Sequence, residues 1–292
     1  MTEMNPGNKC GLVLEGGAMR GLFTAGALDV FMENGIAFDG FVGVSAGAAF
    51  GCNLKSGQIG RVLRYNKKYC QNWRYCSWRS LFLTGDMFGA DFCYRKLPWE
   101  LDVFDYAAFD ANPTEFYLVC TDVVTGTPVY HCCDKAGGNT MEWMRASASM
   151  PLVSSIVRIG EGRYLDGAVT DSIPLEFMER NGYGRNVVIL TQPEGYVKKP
   201  NQFQWLMGLV YRKYPALLEA AAKRHERYNA QTEYVRKRES EGAALVIRPE
   251  SPLPVQRITD DPALLQETYD IGRRAAEQRL EEIVKFIHTP RD

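Results

Sequence analysis

The chain has 292 residues, 46% of them hydrophobic, and a formal net charge of −1 at pH 7. That length and apolar content can fill the core of one large α/β domain or two small ones, and they do not make disorder the default. The balanced charge gives no reason to expect a nucleic-acid partner, so any contact with an anionic surface must be local.

Met1 to Cys10 carries no apolar segment of the signal-peptide kind, and no apolar run reaches membrane-spanning length. The expectation is a soluble, cytoplasmic protein whose membrane contact, if it has one, is peripheral. Eight cysteines without paired CxxC spacing read as reduced thiols rather than disulfides or zinc ligands. No metal or cofactor is called for.

Cys10 to Leu14 reads as a short buried strand, followed by the loop Glu15-Gly16-Gly17-Ala18-Met19-Arg20-Gly21 and a helix from Leu22 to Glu33 that Asn34-Gly35 closes. The loop lacks the Lys-Ser/Thr pair of a P-loop, and glycines at 16, 17 and 21 do not spell GxGxxG. Its plainest use is a tight strand-to-helix connection. Its other use is to aim the backbone N–H groups of Gly16, Gly17 and Ala18 at an oxyanion.

Phe41 to Ala48 is the stretch around which the chain is organised. An apolar strand ends at Gly43, Ser45 falls on a sharp turn, and small residues from Ala46 open a helix. This context turns the GxSxG spacing into a nucleophile elbow with Ser45 as nucleophile, because Gly43 and Gly47 relieve crowding around a strained residue. Ala46 would add its N–H to the oxyanion donors. In a parallel sheet the glycine loop and the elbow both lie at the carboxyl ends of their strands, so donors and nucleophile converge.

From Gln58 to Asp110 aromatic residues crowd an insertion, among them Tyr65, Tyr75, Phe88 and Trp99. They fit a lid or acyl-chain wall, and equally a satellite hydrophobic cluster. Glu115 to Thr121 resumes the sheet. Asp122 at its end is a second candidate carboxylate, although capping the turn to Gly126 is its simpler role. Val129 to Cys132 returns as a hairpin partner, a helix spans Met141 to Ser147, and the small-residue run Ala146-Ser147-Ala148-Ser149 follows on. Ile156 to Ile159 and Arg163 to Leu165 form a hairpin that delivers Asp166. Beyond a short helix (Ile173 to Arg180) and a strand (Asn186 to Thr191) the pattern turns helical. Phe203 to Glu239 is broken near Pro215, a strand spans Ala243 to Arg248, and a last helix spans Pro262 to Ile287. Basic residues between Lys198 and Arg238, including Arg224 and Arg227, read as a solvated helix face balanced by Glu219, Glu226, Glu233 and Glu239 rather than as a lipid-binding surface.

Taken together, the glycine loop, Gly43-Val44-Ser45-Ala46-Gly47 and Asp166-Gly167-Ala168 resemble, in order and separation, the signature of the patatin-like phospholipase family, in its bacterial branch. The resemblance covers roughly residues 9 to 195. It implies a three-layer α/β/α sandwich with a mainly parallel sheet over residues 8–195, carrying the aromatic insertion at about 58–110, and a mostly helical extension over 196–292 packed on the core. It also implies a serine acyl hydrolase acting on fatty acyl esters of phospholipid or lysophospholipid type. A Ser45/Asp166 dyad would work through an acyl-enzyme, with Asp166 as proton acceptor and Arg20, Gly21, Gly43, Gly47 and Gly167 in support. The sequence departs from the family at Ala18, where a third glycine is usual. Two alternatives stand beside it: a triad esterase using His225, and a non-catalytic lipid-binding protein of the same fold.

Overall fold

A computed structural model describes residues 9–288. The segment Met1 to Asn8, to which most of the signal-peptide reading refers, lies outside the described residues.

One sheet of eight strands runs through the molecule: β1 (Cys10–Leu14), β2 (Gly40–Val44), β3 (Glu115–Asp122), β4 (Pro128–Cys132), β5 (Val157–Ile159), β6 (Gly162–Asp166), β7 (Arg185–Ile189) and β8 (Ala244–Ile247). The order is β5-β6-β3-β2-β1-β7-β8, with β4 paired to β3. Strands β3-β2-β1-β7-β8 run parallel, whereas β4 and β6 meet β3 antiparallel. β1 and β2 are buried at every position, which is why both read as continuous apolar runs.

Successive strand residues point to opposite faces, and the core divides accordingly. Leu12, Phe41, Phe116 and Val187 pack on one face against the helices Gly21–Glu33, Ala46–Ser56 and Thr140–Ser147. Val13, Val42, Val188 and Val246 pack on the other against Leu175–Arg180 and Arg224–Ser240. The result is a mainly parallel sheet sandwiched between helical layers, as expected.

The extension beyond residue 196 is woven into this frame. Its strand β8 pairs with β7, and its helix Pro262–Glu277 crosses Gly21–Glu33 in backbone contact: a Cβ on Gly272 would lie 1.9 Å from Phe23 O, and one on Gly26 would lie 2.1 Å from Tyr269 O. Tyr269 OH also donates to Asp29 (2.6 Å) and Arg273 clasps Glu33 (2.6 and 2.8 Å). The single last helix expected over Pro262 to Ile287 is two, Pro262–Glu277 and Leu280–His288. At the break Arg279 donates to Val246 O and to Glu282, and the turn lets Ile283 bury against the core.

Candidate active site

The elbow is built as its sequence requires. Ser45 sits between β2 and the helix Ala46–Ser56 at φ +55°, ψ −120°, a conformation that costs a side-chain-bearing residue on the order of 1–3 kcal/mol. Its neighbours must be small: a Cβ on Gly43 would lie 2.6 Å from Ala48 Cα, and one on Gly47 would lie 2.4 Å from Leu14 O. Ser45 N donates to Ser147 Oγ (3.0 Å), which in turn donates to Val119 O (2.7 Å). The small-residue run thus positions the elbow as well as allowing close approach.

Asp166 stands at the end of β6 with Gly167 behind it, 3% exposed beside Ser45 at 7%. Ser149 O accepts from Asp166 N (2.8 Å), so the same run holds both side chains in register. The carboxylate accepts from Ala168 N (2.8 Å). Burial raises the pKa of Asp166, opposed by hydrogen bonding from the Ser45 hydroxyl and by the charge of Arg224. Asp122, the second candidate, caps its turn by accepting from Val124 N and Thr125 N (both 2.8 Å).

The glycine loop leans on the elbow: a Cβ on Gly16 would lie 2.7 Å from Val44 O. Among the described residues no group accepts from the N–H of Gly16, Gly17, Ala18 or Ala46. Gly21 opens the next helix, and Arg20 before it lines the chamber that holds Ser45 and Asp166, its buried Nε without a partner. The base of the loop is clamped by Glu15, a residue the sequence did not single out. Its buried carboxylate accepts from Thr191 N (2.6 Å), Thr191 Oγ1 (3.1 Å) and Tyr228 OH (2.7 Å). A lone Glu in a glycine loop gives no sign of such partners.

Ala18, the departure from the family pattern, takes φ +50°. A Cβ in that region costs roughly 1–2 kcal/mol, while glycine would return part of that as unfolded-state entropy. Ala18→Gly is therefore expected to raise the urea midpoint, with a gain of about 1 kcal/mol or less. A lower midpoint would mean that the Ala18 methyl is held by packing that outweighs the backbone.

An apolar cavity opens on Ser45 from the other side, lined by Met19, Phe50, Tyr65, Tyr75, Leu97 and Met144 among others. Tyr65, Tyr75 and Phe92 of the insertion pack edge-to-face in the core, while Trp78, Phe82 and Trp99 stand exposed. The insertion is thus both a hydrophobic cluster and a cavity wall.

His225 lies elsewhere. Its Nδ1 meets Ala222 O (3.0 Å), its Nε2 faces Glu226 (3.8 Å), and it borders a wide groove that Asp166 reaches and Ser45 does not. The basic stretch splits. Lys223 and Arg236 pair with Glu219 and Glu233 as a solvated face would, but Lys198 and Arg224 turn inward and line the Ser45 chamber.

A serine strained at an elbow, a buried carboxylate lining the same chamber and unpaired N–H groups alongside can together generate a nucleophile and receive negative charge. The chain belongs to the patatin-like phospholipase family, whose sequence profile matches residues 12–178, more than half of its length, and this family is one of lipid acyl hydrolases. A second profile, a domain of unknown function (DUF6363), matches residues 214–288. Over 98% of its length the chain is 28% identical to the uncharacterized protein YjjU of Escherichia coli K12, covering 81% of that protein. It is 24% identical over 177 residues to lysophospholipase NTE1 of Meyerozyma guilliermondii, 59% of this chain but only 12% of that one. Among solved structures VipD from Legionella pneumophila is similar at a TM-score of 0.47 and 11% identity, over 94% of this chain and 67% of that one.

Proposed function

We propose that the protein is a serine acyl hydrolase that cleaves fatty acyl esters of the phospholipid or lysophospholipid class through an acyl-enzyme on Ser45. The observation that carries this reading is that Ser45 and the buried Asp166 carboxylate line one chamber, at the junction of the apolar cavity and the unpaired N–H groups. Asp166 takes the hydroxyl proton as Ser45 Oγ attacks the ester carbonyl. The N–H groups of Gly17, Ala18 and Ala46, beside Gly16, receive the oxyanion, each such donor being worth about 3 kcal/mol. Asp166 then returns the proton to the departing alcohol, and water resolves the acyl-enzyme by the same steps in reverse. The acyl chain lies in the apolar cavity among Phe50, Tyr65 and Leu97.

Two exposed apolar clusters support a peripheral lipid-facing surface. Trp78, Phe82 and Leu83 are on one short helix, and Phe203, Trp205 and Leu209 are on or beside another. Both are tied to the loop at 150–155, through Asp86 accepting from Ser155 N (2.7 Å) and Tyr211 OH accepting from Leu152 N (3.0 Å). Among the described residues no helix is long and apolar enough to cross a membrane.

A series of p-nitrophenyl esters of rising acyl length tests the reading, together with a fluorophosphonate and mass analysis of the labelled peptide. The expected result is a kcat/KM that rises with chain length and an adduct on Ser45. The base must be ionised, and burial has raised its pKa. The acid limb of kcat/KM is therefore expected above the ordinary aspartate value of about 3.9, with activity lost as pH falls through that limb. Preference for acetate, or an adduct elsewhere, would overturn the assignment.

A further inference from the structure

The chamber that holds Ser45 and Asp166 on the side away from the apolar cavity is also lined by Arg20, Lys198, Arg224 and Arg257. Four cations share this chamber with two carboxylates, Glu15 and Asp166, which leaves an excess of positive charge around Ser45. Glu15 accepts hydrogen bonds from Thr191 and Tyr228, and Asp166 accepts one from Ala168 N. Among the described residues none of the four forms an ion pair with a carboxylate.

Two of the cations have side chains held in place. Arg224 donates its Nε to Ala168 O (2.6 Å), which leaves the outer edge of the guanidinium facing the chamber. Lys198 Nζ lies over the Tyr228 ring, 3.9 Å from its centroid, and the Lys198 backbone is fastened at both ends to Asn229 (2.8 and 3.1 Å). Arg257 is the exposed member. Its carbonyl accepts from Met19 N (3.4 Å), which sets it across the glycine loop. Burial and the charges of Arg224, Arg257 and Arg20, against the opposing charge of Glu15, pull the Lys198 amine down to about 7. Behind them lies the buried, unpartnered Nε of Arg20.

The placement has a direction. An ester seated on Ser45 with its acyl chain in the apolar cavity points its alcohol half into this chamber. An excess of guanidinium and ammonium groups suits a tetrahedral, multiply charged oxyanion. Lys198, Arg224 and Arg257 also lie beyond residues 12–178, and two of them fall within the 214–288 region of unknown function.

We propose that Lys198, Arg224 and Arg257, backed by Arg20, form a phosphate-binding subsite on the leaving-alcohol side of Ser45, and that supplying it is a function of the C-terminal region. The ligand is a phosphate group, either carried on the alcohol half of the ester or free. For the esterified case the proposal rests on the acyl hydrolase reading. The free anion does not depend on it.

The test uses the full chain, with Arg257→Gln and Lys198→Gln as variants, because Arg224 is too close to Asp166 for its loss to be read cleanly. In one arm, inorganic phosphate and glycerol 3-phosphate are titrated calorimetrically into Ser45→Ala protein. Binding is expected, weakened about tenfold or more when either cation is removed. In the other, kcat/KM is compared between lysophosphatidic acid and the monoacylglycerol of the same chain. The phosphorylated ester is expected to be favoured, and the ratio of the two to fall about tenfold in each variant. A changed ratio assigns the phosphate to the substrate, whereas variant-sensitive phosphate binding with an unchanged ratio assigns it to a free anion. If neither ester is cleaved, the hydrolase reading fails and the calorimetric arm alone decides the subsite. No phosphate binding together with a ratio that both variants leave unaltered overturns the proposal.

Discussion

Ser45→Ala and Asp166→Asn are each expected to lower kcat/KM for ester hydrolysis by about 10³-fold or more, and the double variant is expected to be scarcely worse than the poorer single. In the proposed mechanism nucleophile and base act as a unit: without Oγ no bond forms, and without the carboxylate no group receives the proton. Residual turnover would come from the unpaired N–H groups and the cavity. Asp166→Asn is informative in a second way. Burial has raised the pKa of this carboxyl despite Arg224 and Ser45, so the fold disfavours its ionised form. The stability linked to the protonated form is present in full below the unfolded pKa and is lost as pH rises through the folded one. The amide variant should therefore melt no lower than wild type at pH 7 while losing activity. His225→Ala supplies the contrast, since a triad enzyme would lose as much there as at Ser45. Activity surviving in folded Ser45→Ala protein would remove the nucleophile assignment.

Gly272→Leu is expected to be the most damaging change away from the site, costing about 3 kcal/mol or more in urea unfolding. A Cβ there meets the Phe23 backbone at 1.9 to 2.8 Å, so no side-chain rotation relieves it and the two helices must part. Parting them also breaks Tyr269 from Asp29 and Arg273 from Glu33. Gly208→Ala is the control: it lies in the helix Gln204–Val210 with nothing within 4 Å of its added Cβ. It should be neutral or stabilising by up to about 1 kcal/mol. Equal behaviour of the two variants would show that the Gly26/Gly272 crossing is not a tight contact.

The sequence carried most of the sheet because strands buried on both faces read as unbroken apolar runs, as at Phe41 to Val44, and because Gly, Asn and Pro mark their ends. The turns that carry Ser45 and Asp166 were legible for a related reason, as their strained or crowded settings demand glycine neighbours that leave a spacing behind. The cationic chamber was not legible. Lys198 and Arg224 sit in a charged stretch whose composition is the same whether a side chain faces water or a cavity, and the neighbouring glutamates hide the difference. The break at Gln278-Arg279 carries neither proline nor glycine; it follows from burial of Ile283 and the bond from Arg279 to Val246 O, both tertiary.

The Glu15 clamp bears on the timing of synthesis. The carboxylate that shapes the glycine loop finds its partners 176 residues later at Thr191 and 213 residues later at Tyr228. A chain emerging from the ribosome thus displays its Ser45 elbow sequence long before the glycine loop can be locked. Contacts so distant in sequence form slowly, and here the last of them belong to the region that also carries Arg224 and Arg257. Until that region has emerged, a growing chain holds Ser45 beside an unfinished loop.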